Sequence, residues 1–449
     1  MLWGTMAGES QSQSKWALAL ALAAALLGWM FDGLEQGLFP LVGRPALIEL
    51  IGESAQTNFS YWFAAIMAVY LAGAACGGIL FGWLGDRIGR VRAMVLSIVT
   101  YAVFSGLCGF STQAWHLASL RLLSSLGMGG EWALGVALVM EIWPARFRPM
   151  LAGVIGAAAN VGILLVGLMG LGLSQVIDDL GGVFRAAGMP ESWIGPLLAN
   201  SGWRLLLFLG ALPAVLAFFI QIFVPESERW KHAAATAPKN KVSDIFKGGL
   251  AKYAIMGAML GAIALLGTWG SVQWIPSWAD KMSKALPADT AQWARAARSL
   301  TLVASSCGAI VGCVLGALFA QWTSRRTGYF MLCLLSLVAC QCIFRLPMEL
   351  GMWFFAWVFA VGATTAAFYG WLPLYLPELF PTRIRATGQG FAFNSGRILA
   401  AVGTLGSGSL LAAFGENYAA AGGITCLVYI VGMVFIWFCP ETKGRPLPE

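Results

Sequence analysis

The chain has 449 residues, of which 59% are hydrophobic and only 11% charged, with a formal net charge of +7. A water-soluble domain carries about 25% charged residues, so this composition excludes an ordinary soluble fold and points to lipid. The positive charge does not signal nucleic acid, because no basic run is interleaved with aromatics and most Lys and Arg sit in short turns between apolar stretches.

A membrane span needs about 20 mostly apolar residues. Residues 1–14 are polar, and the apolar run from Trp16 contains Ala-x-Ala triplets of the kind found in cleaved leaders. That run continues past Asp32 to about Val42, which fits a first span better. Further spans are expected at 58–84, 91–111, 114–141, 149–175 and 203–224. After a polar, charged stretch containing Pro238, six more follow at 250–278, 298–322, 328–346, 350–376, 385–412 and 419–439. Gly-rich stretches over 153–156 and 167–172 suit close helix packing.

The chain also repeats itself. Glu141-Ile142-Trp143-Pro144-Ala145-Arg146-Phe147-Arg148 returns as Glu378-Leu379-Phe380-Pro381-Thr382-Arg383-Ile384-Arg385, 237 residues later. Pro225-Glu226-Ser227 returns as Pro440-Glu441-Thr442 at an offset of 215, and the difference of 22 is assigned to an insertion in the connection at about 176–202. At an offset of 239 the turn between spans two and three sets Asp86 on Arg325. The expected fold class is therefore an all-α membrane protein with twelve transmembrane helices in two pseudo-symmetric six-helix bundles. The bundles are expected over 1–224 and 250–449, joined by a cytoplasmic linker over 225–249.

Orientation follows from the turns. Arg87, Arg90, Arg92, Arg146, Arg148, Arg325, Arg326, Arg383 and Arg385, with Arg229, Lys231, Lys239, Lys241 and Lys247 of the linker, all fall on one side. That side is expected to be cytoplasmic, and both termini with it, in a cell (inner) membrane. Lys281, Lys284, Arg295 and Arg298 dissent, and suggest a short amphipathic helix at the opposite interface.

The nine cysteines lie in apolar stretches, no CxxC pair occurs, and His116 and His232 are far apart in sequence. No metal, disulfide framework or cofactor is expected, and no nucleophile–base pair that would make an enzyme.

Several motifs are specific. Gly82-Trp83-Leu84-Gly85-Asp86-Arg87-Ile88-Gly89-Arg90 resembles the signature of the second turn in the major facilitator superfamily. Arg121 to Glu131 resembles the fourth-helix motif of its metabolite:proton symporter branch. Pro377 to Gly388 is similar to that branch's tenth-to-eleventh turn, shared with synaptic vesicle glycoprotein-like and organic ion transporters. Pro225-Glu226-Ser227 and Pro440 to Arg445 resemble the span endings of sugar porters, but the Gln-Gln-rich seventh helix of those porters is replaced by Gly267-Thr268-Trp269-Gly270-Ser271-Val272-Gln273-Trp274. The resemblance implies a secondary transporter working by alternating access. Proton-coupled symport of a small organic anion (a carboxylate or aromatic acid) is expected, the partners being that substrate, protons and the bilayer, and the protein is expected to be a monomer. A sugar or polyol:proton symporter and a transporter-like receptor that no longer transports remain open.

A charge at the bilayer centre costs about 2.5–3.5 kcal/mol, so the intramembrane charges need partners or a task. Asp32 and Glu35 share one face of span one, Arg121 and Glu131 lie in span four, and Arg397 in span eleven. At about 1.5 Å per residue, Arg397 and Glu131 fall near the midplane and Asp32 at the depth of Arg121. Asp32 or Glu131 is a candidate proton carrier with Arg121 as its bias; the resemblance implies such a role for an Asp in span one and an Arg in span four. A static Asp32–Arg121 pair is the other reading. Glu35 suits a structural or pore-lining place. Arg397, in Asn394-Ser395-Gly396-Arg397, can grip a carboxylate with two parallel hydrogen bonds, or can pair with a first-half acid such as Glu131. The resemblance to organic anion transporters implies the substrate role. Asn160, Gln273, Trp274, Tyr369, Trp371 and Asn394 are candidates to line the same cavity. Gly82, Asp86, Arg87, Gly89, Arg90, Glu141, Arg146, Glu378 and Arg383 are expected to form a cytoplasmic gate, with Arg148 and Arg385 as plain topology-setting charges.

Overall fold

A computed structural model of the chain describes residues 15–52, 55–236, 241–283, 291–415 and 417–448. Among them the secondary structure is helical, with no strand. The N-terminal half contains α1 (Lys15–Ile51), α2 (Ala55–Ile88), α3 (Arg90–Cys108), α4 (Ala114–Ile142), α5 (Arg148–Ala186), α6 (Glu191–Leu209) and α7 (Pro213–Phe223). A short helix α8 (Glu228–Thr236) follows in the connecting segment. The C-terminal half contains α9 (Leu250–Gly270), α10 (Ile275–Ser283), α11 (Ala291–Trp322), α12 (Arg325–Arg345), α13 (Met352–Ala366), α14 (Phe368–Tyr375), α15 (Arg385–Ala413), α16 (Tyr418–Thr425) and α17 (Val428–Phe435). Eleven helical stretches among the described residues are long and apolar enough to cross a membrane. At 29 residues α15 is also long enough, although Arg397 and its many Gly and Ser dilute its hydropathy. The sixth crossing is shared by α6 and α7, and the tenth by α13 and α14.

The long connection expected at 176–202 is helical. It is taken up by the last turns of α5 and the first turns of α6. Inside α6 the backbone turns left-handed at Asn200 (φ 47°), Ser201 (φ 66°) and Gly202 (φ 64°). Non-glycine residues pay for that region of φ/ψ space, and Glu49 of α1 offsets the cost. Its carboxylate accepts from Asn200 Nδ2 (2.9 Å), Trp203 Nε1 (2.7 Å) and Arg204 Nη2 (2.7 Å). On the same face of the molecule α10 ends at Ser283, and Asp280 pairs with Arg298 of α11 at 2.8 Å. Lys284 lies outside the described residues, as does Lys239 of the linker.

The halves meet along two seams, α2 against α15 and α5 against α11 and α14. The Gly-rich stretches of α5 serve the second seam: Gly153 faces Val314, Gly156 the Tyr369 backbone and Gly167 the Val303 side chain. The functional groups lie between these seams and at the end of the bundle that carries the charged turns, called here the charged end.

Candidate functional site

A cavity opens between the halves at mid-bundle and extends away from the charged end. Its wall includes Trp29 and Gln36 of α1, Asn160 of α5, Trp269 of α9 and Phe393 and Arg397 of α15. Arg397 is the one charged side chain on that wall among the described residues. It is nearly fully buried, lies over the Phe393 ring at 5.1 Å, and donates to Asn394 Oδ1 at 2.9 Å. Asn394 sits behind the arginine. Its Nδ2 donates to Gly390 O (2.9 Å) in its own helix and to Gly129 O (3.3 Å) of α4 in the other half. Gly78 of α2 leaves the room for it, since a β-carbon there would collide with the Asn394 amide.

Three acids are buried near the same depth. Asp32 lies within electrostatic reach of Arg397; its Oδ2 is 3.5 Å from Gln36 Nε2, and its Oδ1 has no hydrogen-bond partner. Glu35 instead pairs with Arg121 and accepts from Ser105 of α3 and from Ser124 of α4 (3.0 Å). Arg121 is further enclosed by the Tyr70 ring at 4.3 Å and the Phe39 ring at 5.5 Å. Glu131 is buried with neither carboxyl oxygen hydrogen-bonded. It lies against Gly28 of α1, beside Trp132, whose ring stacks on Phe393 at 4.2 Å.

The partner assignments therefore differ from the depth argument. Arg121 pairs with Glu35, not with Asp32. Arg397 donates to Asn394 and lies within electrostatic reach of Asp32, and no ion pair joins it to Glu131 among the described residues. At 3.6 residues per turn, Asp32 and Glu35 are about 60° apart around α1, and that rotation gives Glu35 to α4 and Asp32 to the seam. Asn160, Gln273 and Tyr369 do line the cavity. Three other wall candidates do not. Trp371 is fully buried, stacked on Tyr375 at 4.5 Å and donating to Arg325 O at 3.2 Å. The indole N–H of Trp274 is taken by Ser407 Oγ at 3.0 Å, and Asn394 supports the arginine from behind. Gln36, Trp29, Trp269 and Phe393 were not foreseen as wall residues. Gln36 had a visible signal, being a polar residue one helical turn after Asp32.

At the charged end, Arg90 is buried and donates to Asp86 (2.6 Å), Glu141 (3.0 Å) and the Gly85 carbonyl (2.8 Å). Gly89, between α2 and α3, adopts φ 108° and packs on the Glu226 carboxylate, which accepts from Val91 N at 3.0 Å. This node reaches the other half at several points. Arg90 donates to Thr382 O (3.1 Å), Thr387 N to Asp86 (2.8 Å), and Arg385 to Glu141 (3.3 Å). Gly82 packs on the Ala386 carbonyl in the same seam. In the second half Arg325 donates to both oxygens of Glu378 (3.1 and 2.9 Å) and to Ala320 O at 2.9 Å. The counterpart of Arg325 is thus Arg90, each bonded to the carbonyl five residues before it, and not Asp86. Three turn residues depart from the expected gate. Arg87 is exposed over Trp83 and Arg146 over Phe147, while Arg383 faces Asp244 of the linker. Arg385, expected as a plain topology charge, is fully buried in the node. Asp244 has its carboxyl held below the ordinary range, first by the Lys247 hydrogen bond.

A helical membrane bundle with a cavity between repeated halves and a sealed charged end is the architecture of a secondary transporter. The family model of the Major Facilitator Superfamily matches residues 18–404, and the chain belongs to that superfamily: it is a membrane transporter, not an enzyme. Among curated relatives, the "Probable 4-methylmuconolactone transporter" of Cupriavidus pinatubonensis is 27% identical, with 98% of this chain and 93% of the relative covered. The cis,cis-muconate transport protein of Acinetobacter baylyi is 25% identical, with 95% of each chain covered. A solved structure of the proton:xylose symporter XylE, from E. coli, superposes with a TM-score of 0.72 at 18% identity, covering 96% of this chain and 98% of that one. That likeness concerns the fold.

Proposed function

We propose that the protein carries a small organic anion, a carboxylate or aromatic acid, across the membrane together with a proton. The observation that carries this reading is Arg397, a buried guanidinium on the wall of a mid-bundle cavity with no carboxylate bonded to it among its described hydrogen bonds. Guanidinium and carboxylate match in geometry and charge, and Trp269, Tyr369 and Phe393 offer flat apolar faces to the rest of a substrate. The names of the two relatives, a probable 4-methylmuconolactone transporter and a cis,cis-muconate transport protein, support the same substrate class.

Coupling follows from the position of Asp32. An arriving carboxylate replaces Asp32 as the counter-charge of Arg397. Asp32 then loses the field that favoured its ionised form and takes up a proton. One proton moves with one anion, and the cavity carries no extra charge through the bilayer. Glu131 differs, for among the described residues no cation is bonded to it. An unpaired carboxylate at that depth is costly, so these surroundings suit a neutral acid that keeps its proton whether or not substrate is bound. Arg121 and Glu35 form a fixed clamp joining α1, α3 and α4.

The charged end is assigned to the cytoplasm of a bacterial inner membrane, with both termini on that side, from the Lys and Arg of the turns. The working unit is a monomer of two bundles, 1–224 and 250–449, joined by 225–249. Closure of the charged end by the Arg90 node matches a cavity that receives substrate from outside.

The reading is tested by thermal-shift titration of the purified protein with carboxylates and sugars. Carboxylates should stabilise the wild type, and Arg397→Ala should abolish the shift while Arg397→Lys keeps a weakened one. Stabilisation by neutral sugars alone, or carboxylate binding that survives Arg397→Ala, would overturn it.

A further inference from the structure

Between the cavity and the charged end, α15 carries one stripe of side chains, Arg397, Phe393, Gln389 and Arg385, each four residues from the next. Residues four apart are offset by about 40° around a helix and about 6 Å along it, so the stripe stays on one side. On both sides of Gln389 the stripe touches α4 of the other half. Phe393 stacks on Trp132, the rings 4.2 Å apart and 19° from parallel. Arg385 donates to Glu141 at 3.3 Å. Gln389 therefore lies along the stretch of α4 between those contacts. Residues 133–140 there read Ala-Leu-Gly-Val-Ala-Leu-Val-Met and hold no polar side chain. The seam is tight at this level: a β-carbon on Gly390 would come within 2.4 Å of Gly78 O of α2 and 3.7 Å of Ala133 Cβ. Gln389 is fully buried, and neither its amide nitrogen nor its amide oxygen has a hydrogen-bond partner among the described residues. Its polar neighbours on α15 are engaged elsewhere, Thr387 with Asp86, Arg385 with Glu141 and Asn394 with Gly129 O.

A carboxamide left this way gives up the hydrogen bonds it would make in water and gains none in return. An apolar side chain of similar size would fill the same place without that loss. The loss is relieved where α4 and α15 part and water reaches the amide. We propose that Gln389 is a built-in opener of the inner gate: its unmet amide works against the closed charged end and sets how readily that end opens during alternating access. The lock and its opponent sit one turn apart on α15, since Arg385 belongs to the Arg90 node and Gln389 does not. A two-state gate responds to the difference in free energy between its states. Gln389 keeps the closed state from becoming so stable that the cycle stalls in it. The inference depends on neither the identity nor the charge of the substrate.

The test follows the seam with a reporter, Ala133→Cys, at a position fully buried while the charged end is closed. A thiol reagent reaches it when the halves part. Modification is measured on the purified full-length protein without substrate and read at that peptide by mass spectrometry, which separates it from the native cysteines. Its rate follows the population of the open form when opening and closing are fast. Gln389→Leu and Gln389→Met both remove the unmet amide and keep the bulk. In each, modification should be about tenfold slower than with Gln389 in place, the equivalent of one hydrogen bond, and the melting temperature should rise. Faster modification with a lower melting temperature would show that the amide holds the seam together. Unchanged modification would show that it does not act on the gate. Either result overturns the proposal, and so does failure of both variants to fold, because the amide would then be required by the closed structure. If carboxylates prove not to bind while the two variants still slow modification, the substrate reading falls and this one stands.

Discussion

Arg90 and Arg325 hold equivalent places at the charged end. Each is bonded to the carbonyl five residues earlier and to the acid of the repeated turn, Glu141 or Glu378. The second partners also correspond: Ser227 donates to Glu141 at 2.7 Å and Thr442 to Glu378 at 2.6 Å. Glu226 accepts from Val91 N, and Glu441 from Arg326 N. The two nodes differ in reach. Four residues before Arg90 stands Asp86, buried and bonded across the seam to Thr387; four before Arg325 stands Gln321, which is exposed. The first node locks one half to the other, while the second braces its own half. One copy of a duplicated structural element thus reaches across the seam, through Asp86, Arg90 and Glu141, while the other stays within its own half.

That contrast can be broken most sharply by removing the two arginines. Arg90→Ala leaves Asp86 buried without its cation and Glu141 with Arg385 alone, and losing one partner of a buried pair costs about 3–5 kcal/mol. Arg325→Ala exposes a less enclosed Glu378 that still holds Thr442, and about 1–3 kcal/mol is expected. Thermal unfolding in detergent measures both, and equal losses would show that the nodes do the same work. A smaller change sharpens the seam itself. Thr387→Val removes one hydroxyl bond to Asp86 but keeps the backbone one, so stability should fall by about 1 kcal/mol. Cysteine labelling of the charged end should rise in this variant; unchanged labelling would mean the seam is held elsewhere. The weakest expected effect concerns Glu441. Burial pushes its carboxyl upward, but the backbone N–H groups of Lys443, Arg326 and Arg325 outweigh this and hold it below the ordinary value of 4.5. A depressed carboxyl contributes stability that is present above the unfolded value and lost as pH falls through the folded one. Glu441→Gln should therefore lower the melting point slightly at neutral pH and converge with the wild type in acid, once the pH has fallen through the depressed folded value. A difference that persists there would contradict the assignment.

Much of this was visible in the residues. Each span is an apolar run of bilayer length, and the repeated turn marks the two halves, so twelve crossings could be counted. Helix ends were less visible, because α5 runs on through polar residues to Ala186. At the site, Arg397, Asn160 and Tyr369 stood out as polar groups in apolar surroundings. Their partners did not, since pairing depends on helix rotation: one-sixth of a turn decided between Asp32 and Glu35 as the neighbour of Arg121. Trp371 was misplaced for a similar reason. The break between α13 and α14 near Ala367 turns it into the core beside Tyr375, leaving Tyr369 at the cavity.

The central claim, that Asp32 exchanges its charge partner with an anionic substrate, is tested most directly by transport in proteoliposomes with an aromatic carboxylate inside or outside and an imposed proton gradient. The wild type should accumulate the anion against its gradient. Asp32→Asn should retain exchange of labelled for unlabelled anion but lose proton-driven accumulation. Undiminished uphill uptake by Asp32→Asn would contradict the account.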